Sequence, residues 1–173
     1  MTGCVDVVQF LIGSSSSIDL KDSDGRTAFH VACKSGHVEV VMLLLERGAS
    51  IKEVDDEGRT ALHEACKSGH VEVVRLLLER GAKVDEVDEE GRTAFYEACS
   101  VARGDIVRLL FEHVYKANVA VKDENGRALH EACCNGHAGV VKLLLGLYDD
   151  DVNAGDARGY TALHVACKSG HVK

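Results

Sequence analysis

The sequence has no proline and few aromatic residues, and both shortages limit what the chain can be. Proline is absent from its 173 residues, and aromatic residues make up 5%. A chain of this composition contains no proline-rich linker and offers no aromatic platform on which nucleic acid bases could stack. No cluster of lysine and arginine offsets the formal net charge of −8, which repels phosphate backbones. We therefore expect no nucleic acid partner.

Long apolar runs are also missing. The longest, such as Val40–Leu45, fall far short of the roughly 18 residues that a membrane-spanning helix needs. The N-terminus has no basic stretch, and Asp6 interrupts its short apolar run, so a signal peptide is not expected. We predict no membrane partner and an intracellular location, cytoplasmic or nuclear.

What the sequence does have is one segment written several times. The stretch from Gly58 to Ala82, GRTALHEACKSGHVEVVRLLLERGA, has whole or partial copies that begin at Gly25, Gly91, Gly126 and Gly159. Successive copies start 33, 33, 35 and 33 residues apart. A period this regular predicts an array of stacked units, each too small to bury its own apolar face.

One such unit has the pattern of a turn followed by two helices. Residues 55–59 form a polar turn in which Gly58 can adopt positive φ, and Thr60 can cap a short helix of about 61–67. Residues 68–70 interrupt that helix. A second helix is predicted at about 71–79, with Gly81 placed to end it in the left-handed conformation.

These residues resemble the ankyrin repeat. The family pattern, roughly DxxGxTPLHxAxxxGHxxxVxLLLxxGA, is matched from Asp55 to Ala82 at nearly every position, and the similarity covers essentially the whole chain. Alanine replaces the family's proline, which should cost little because alanine is the best helix former. The resemblance implies an all-α fold: an ankyrin-repeat solenoid of stacked helix-turn-helix units with short turn or hairpin tips.

The register of the copies divides the chain into repeats. We expect complete repeats at 21–54, 55–87, 88–122 and 123–155, a partial repeat at 1–20 with only the second helix, and one at 156–173 with only the first. Because the solenoid is truncated mid-repeat at both ends, we expect it to be an excerpt of a longer array. Neither partial repeat carries the polar outer face that terminal repeats need.

Two repeats depart from the pattern. In the irregular repeat 88–122, Tyr96 replaces the motif histidine, and two extra residues replace the glycine that should end a second helix of about 105–112. Repeat 123–155 lacks the capping threonine, a loss of roughly 1 kcal/mol, so we expect it to be the least stable complete repeat.

The histidines and cysteines could suggest a metal site or a catalytic pair. His63, Cys66 and His70 are residue types that ligate zinc, but a helix break separates His70 from the other two. The resemblance implies instead that His63 bonds within its own turn and that His70 bonds backbone between units. No third group is positioned to orient a base for a nucleophile. We expect no enzyme, no metal and no cofactor.

Most of the cysteines are expected to be reduced. Stacked helices lie roughly 8–10 Å apart, beyond the roughly 7 Å Cα separation that a disulfide allows. Cys134 occupies the position of an exposed lysine in other units and should face solvent. Five of the seven cysteines share one position in successive units and are predicted to be core thiols: Cys33, Cys66, Cys99, Cys133 and Cys167.

We therefore expect the chain to act by binding a partner at its surface. The resemblance implies a non-catalytic protein-protein interaction scaffold, whose contacts lie beside the turn glycines and on the exposed side of the first helices. Carried over by position, the candidate partner-binding residues of the concave face are Asp56, Glu57, Arg59, Glu64, Lys67, Glu89, Glu90, Arg92, Tyr96, Glu97, Val101, Arg103, Arg127, Glu131 and Tyr160.

Three of these residues suggest the chemistry of the partner. Glu64, Glu97 and Glu131 recur at the spacing of one unit, and we predict that they form an acidic column in the concave groove. The expected partner is another protein with a basic or mixed-charge segment, and the chain should be monomeric unless the exposed ends of the array associate. Two alternatives stay open: a regulatory or targeting arm of a larger enzyme or channel, and a purely structural spacer whose charges only maintain solubility.

Overall fold

A computed structural model describes residues 2–13, 17–117, 127–147 and 152–171, and at 2–4, 114–117 and 127 it describes the backbone alone. The described residues form ten helices, and the all-α solenoid predicted from the sequence is confirmed. The helices are α1 (Thr2–Gly13), α2 (Ala28–Ser35), α3 (Val38–Glu46), α4 (Ala61–Ser68), α5 (Val71–Glu79), α6 (Ala94–Ser100), α7 (Gly104–Ala117), α8 (Arg127–Cys134), α9 (Ala138–Leu147) and α10 (Ala162–Ser169).

The helices pack in two rows. The first helices of the units, α2, α4, α6, α8 and α10, each contact the next in that order, and the second helices, α1, α3, α5, α7 and α9, form the other row. Helices α2, α4, α6 and α8 also pack against the second helix that follows each of them. The buried side chains include Leu62 from the first row and Leu77 and Leu110 from the second. The core is therefore a continuous layer between the rows, as stacking of incomplete units requires.

Helix α4 begins and ends at signals that lie within its own unit. Thr60 is extended, with φ −82° and ψ 167°, and its backbone N–H donates to His63 Nδ1 at 3.2 Å. At the other end of α4, Gly69 adopts φ 83°, and its N–H donates to the carbonyls of Ala65 and Cys66. The predicted helix at 61–67 is confirmed, one residue longer.

Between the helix pairs, the turns form short hairpin tips that stack on one another. In the tip at 55–59, the Asp55 N–H donates to the Arg59 carbonyl at 3.0 Å, and Gly58 has φ 75°. The Glu89 N–H of the next tip donates to the Glu57 carbonyl at 3.0 Å. A Cβ on Gly58 would lie 3.0 Å from that Glu89 nitrogen. The glycine therefore permits both the turn and the close approach of the neighbouring tip.

The second helices follow the prediction except in the irregular repeat. Gly48 and Gly81, with φ 88° and 82°, come just after α3 and α5, as expected. Helix α7 was predicted at about 105–112 but runs from Gly104 to Ala117. The difference has a local cause, because no glycine stands where the helix should end. The predicted tip at 124–127 falls mostly on residues 118–126, outside the described part of the chain.

Candidate partner-binding surface

In each tip that the structure describes, an aspartate beneath the turn accepts backbone hydrogen bonds. Asp55 Oδ1 accepts the backbone N–H groups of Glu57 and Arg59 at 3.0 and 2.9 Å, and Oδ2 accepts Arg59 Nη2 at 2.8 Å. Burial acts to raise the pKa of Asp55, but its bonds to Arg59 and Glu57 and the Arg59 charge outweigh burial and hold that pKa below its usual range. Asp88 and Arg92 repeat the arrangement. A partner therefore meets tips whose conformation is already fixed.

The tip arginines support this structure rather than project from it. The Arg59 and Arg92 side chains are only 11% and 17% exposed. Arg59 also lies 3.0 Å from Glu57, and Arg92 lies 2.9 Å from Glu90. Both arginines were predicted to contact a partner, but their guanidinium groups are occupied by carboxylates of their own tip.

The prediction of an open acidic column is wrong at Glu64 and Glu97. The Glu64 side chain is 1% exposed and lies 3.3 Å from Lys34 Nζ and 3.2 Å from Arg59 Nη2. It points into the seam between α2 and α4, where the two cations neutralise it. The sequence held a signal for this burial, since a lysine stands at the end of the first helix in the preceding unit.

Glu97 is buried by the same arrangement, one unit further along the array. Its side chain is 3% exposed, and it lies 3.6 Å from both Lys67 Nζ and Arg92 Nε. Lys67, a predicted contact residue, is 43% exposed and remains accessible. The seam between α4 and α6 is therefore closed by a second buried ion-pair cluster.

Glu131 has a different environment because the preceding unit carries Ser100 where the two units before it carry Lys34 and Lys67. Glu131 Oε1 accepts a hydrogen bond from Asn135 Nδ2 at 2.8 Å, and the side chain is half-buried. The same amide nitrogen reaches the Ser100 carbonyl at 3.3 Å. Arg127, also a predicted contact residue, lies among those described by backbone alone.

Negative charge does reach solvent at the tips. We call these exposed carboxylates the acidic fringe: Asp24, Asp56, Glu57, Glu89 and Glu90. Asp24, Glu57 and Glu90 are 60%, 61% and 67% exposed, although each contacts the arginine of its own tip. For Asp56 and Glu89, no ion pair occurs within the described ranges of the chain. Position-matched carboxylates on successive tips thus present an acidic edge.

Of three further predicted contact residues in the irregular repeat, two are half-buried and the third bonds the preceding unit. Tyr96 and Val101 are half-buried. Arg103 is exposed, but its Nη2 donates to the Ser68 carbonyl of the preceding unit at 3.2 Å, much as His70 at the equivalent position bonds the Lys34 carbonyl at 2.9 Å. Arg103 therefore substitutes for a structural histidine.

The final described tip carries Tyr160 in place of arginine. Its ring is 42% exposed, and Lys168 Nζ lies 5.7 Å from the ring centroid. Its carbonyl accepts a hydrogen bond from His130 Nε2 at 2.7 Å. The Tyr160 backbone thus joins two units while its ring remains available for contact.

The motif histidines face different units, as the resemblance implied. His63 Nδ1 accepts the Thr60 N–H, so Nε2 carries the proton and donates to the Arg92 carbonyl at 3.0 Å. His70 points the other way, toward Lys34. Burial lowers the pKa of His63 and of His30, which favours the neutral ring that this bonding needs. Among the described residues, no group of three or more His, Cys, Asp or Glu side chains is arranged to hold a metal ion.

The cysteines divide by their place in the array. Cys33, Cys66 and Cys99 are buried free thiols, and burial raises the pKa of Cys33 and Cys66. Cys134 is exposed, as predicted. The prediction of a core position is wrong for Cys167, which is exposed because no further first helix covers α10 within residues 152–171, and only partly right for Cys133, which is half-buried.

Comparison with known proteins identifies the repeat. A family model described as ankyrin repeats (3 copies) matches residues 1–88, 57–123, 82–156 and 116–173, which together cover the chain. A search of curated proteins finds no match. None of the helices in the described segments is long and apolar enough to cross a bilayer.

Proposed function

Because the chain belongs to the ankyrin repeat family, whose repeats generally mediate protein–protein interaction, we propose that it is a non-catalytic scaffold that binds a partner at the acidic fringe. The observation that carries the proposal is the pair of exposed carboxylates, Asp56 and Glu89, on tips whose backbones are hydrogen-bonded to each other. Fixed charges of one sign favour a partner of the opposite sign.

The spacing of the tips limits the form of the partner. Stacked units repeat at roughly 10 Å, and an extended chain advances about 3.3 Å per residue. A segment with a lysine or arginine at about every third position would therefore place a cation on each successive tip. We propose such a basic, extended protein segment as the ligand, with Lys67 and Tyr160 as flanking contacts.

The state of the cysteines supports an intracellular scaffold. The six cysteines whose side chains are described are free thiols, and three of them are buried. Free core thiols are typical of reducing compartments. The proposal includes an intracellular location and a monomeric chain that binds its partner with one face.

A matched pair of variants tests the acidic fringe. The probe is a peptide with lysine at every third position, and its affinity is measured by calorimetry at low and at physiological salt. Asp56→Asn/Glu89→Gln should weaken binding about tenfold, because two exposed carboxylates are lost. Glu72→Gln/Glu79→Gln makes the same charge change on exposed residues of α5 and should have little effect.

Two outcomes would contradict the proposal. Equal losses in both double variants would show that the peptide responds to net charge and not to the tips. If the peptide did not bind the unmodified chain, the charged tips would serve only solubility, as expected of a structural spacer.

A further inference from the structure

A groove lies between α7 and α9, on the row of second helices and away from the acidic fringe. It consists of two adjoining hollows of about 380 and 400 Å³, and both are lined by Arg108, Gly139 and Leu143. We call this feature the outer groove.

The outer groove exists because α9 lacks two side chains that α5 has. Gly139 and Gly146 stand where α5 carries Glu72 and Glu79. A Cβ on either glycine would meet no atom within 4 Å, and neither glycine has positive φ. Glycine is a poor helix former, so neither packing nor backbone geometry accounts for its use here. The two positions leave part of the α9 backbone open to an approaching molecule.

Loss of the two glutamates also changes the local charge. In α5, Arg75 lies 3.8 Å from Glu72. At the equivalent positions in the outer groove, Arg108 and Lys142 are exposed, and neither has an ion pair within the described ranges. Asp105, the acidic residue of the lining, accepts the Ile106 N–H at 2.9 Å. Together with Asp105, the two cations give the lining a net charge of +1, on a chain whose net charge is −8.

Apolar side chains lie beside these two cations. Leu143 and Leu147 line the groove and are half-buried, and the neighbouring Leu145 is 44% exposed. A ligand that fits must therefore combine negative charge with apolar surface. A carboxylate of such a ligand would pair with Arg108 or Lys142, and an aliphatic side chain of the same ligand would pack over Leu143.

We propose that the outer groove is a second docking surface, for an extended segment of a partner protein in which acidic and aliphatic residues alternate. Charge complementarity selects this occupant over the basic segment that fits the acidic fringe. One array would then hold two segments of opposite charge, one at the tips and one on the row of second helices.

The experiment uses two terminally blocked peptides, one alternating aspartate with leucine and the other alternating lysine with leucine. Each is titrated into the intact chain while backbone amide resonances are followed by NMR. The aspartate peptide should shift the amides of Arg108, Gly139, Lys142 and Leu143. Arg108→Gln/Lys142→Gln should weaken its binding about tenfold, as expected for the loss of two exposed ion pairs.

Gly139→Glu/Gly146→Glu gives a second test that does not risk the fold, because glutamate already occupies both equivalent positions in α5. This variant should abolish the shifts in α7 and α9 and leave the tips unaffected. The proposal would be overturned if the aspartate peptide shifted only amides of other helices, or if both peptides shifted the groove amides equally. Undiminished binding of the aspartate peptide to the glutamate variant would also overturn it. The variant Asp56→Asn/Glu89→Gln distinguishes the two surfaces, because it should not change the affinity of the chain for the aspartate peptide.

Discussion

At the scale of single residues, Ala102 shows most directly what the repeat requires of its backbone. It has φ 60°, the one positive value found for a non-glycine residue in the described ranges. The equivalent positions of the preceding units are Gly36 and Gly69, with φ 74° and 83°. A Cβ in the left-handed region costs roughly 1 kcal/mol, so the irregular repeat forms this turn at a loss.

Ala102→Gly should therefore raise the free energy of unfolding by about 1 kcal/mol, as measured by urea denaturation. The matched control is Ala98→Gly, the same substitution inside α6, which should lower it by about 1 kcal/mol or more. Similar losses in the two variants would show that no strain is stored at Ala102.

Glu64 is a buried carboxylate, and its effect on the free energy of unfolding depends on the cations that pair with it. Arg59→Met would leave the buried carboxylates of Glu64 and Asp55 with one cation fewer, and should destabilise the chain by about 3 kcal/mol. Glu64→Val should cost no more than about 1 kcal/mol, because valine stands at this position in α2 and α10 as Val31 and Val165.

The double variant Arg59→Met/Glu64→Val completes the cycle. It should lose less stability than the sum of the two single variants, since the unpaired carboxylate is removed together with its partner. Strict additivity in denaturant unfolding would contradict the ion pair seen between Arg59 and Glu64.

The buried histidines predict a dependence on pH. Burial lowers the pKa of His30 and His63 in the folded chain, so the unfolded chain takes up protons first as pH falls. The two rings should leave the free energy of unfolding unchanged above about pH 6.5. Below that pH they should lower it by up to about 1.4 kcal/mol per pH unit for each ring. The lowered pKa values of Asp55 and Asp88 act only below about pH 4, where their carboxylates protonate.

Unfolding midpoints measured across this range should show that slope. His63→Asn removes one of the two rings and should reduce the slope by about half. An unchanged slope in the variant would mean that other groups take up the protons.

At the scale of the elements, the bounds of α4 were predictable and the burial of individual side chains was not. The threonine and glycine that bound α4 act within a few residues, so the sequence reveals them directly. Burial of Glu64 depends on Lys34, which belongs to another unit, and on how the two helices stack. The predicted end of α7 was wrong because the absence of a glycine indicates only that the helix continues. It does not indicate the residue at which the helix then ends.

The same comparison of elements predicts unequal stability along the array. Helix α5 buries Val73, Val74, Leu76, Leu77 and Leu78, whereas α9 buries Val140 and Leu144. Less buried apolar surface means easier local opening. Amide exchange should therefore be slowest in α5 and faster in α9, as also expected from the missing threonine cap before α8. Equal protection in the two helices would contradict the ranking.

At the scale of the whole molecule, repetition of one unit produces surfaces that no unit has alone. The acidic fringe exists because tips stack in register, and the outer groove exists because two adjacent second helices differ in sequence from the rest. The repeat pattern included tip carboxylates among the candidate contacts, but it placed the acidic column at Glu64, Glu97 and Glu131, and the structure buries Glu64 and Glu97. It could not predict the second, which depends on local departures from the pattern.

The central claim is that the stacked tips, and not a chamber within the array, receive the partner. Hydrogen exchange of the intact chain, with and without the peptide that carries lysine at every third position, tests this claim most directly. Binding should slow exchange at residues 55–58 and 88–91 and leave α7 and α9 unchanged. Protection confined to the second helix row, or no protection at the tips at saturating peptide, would contradict the account.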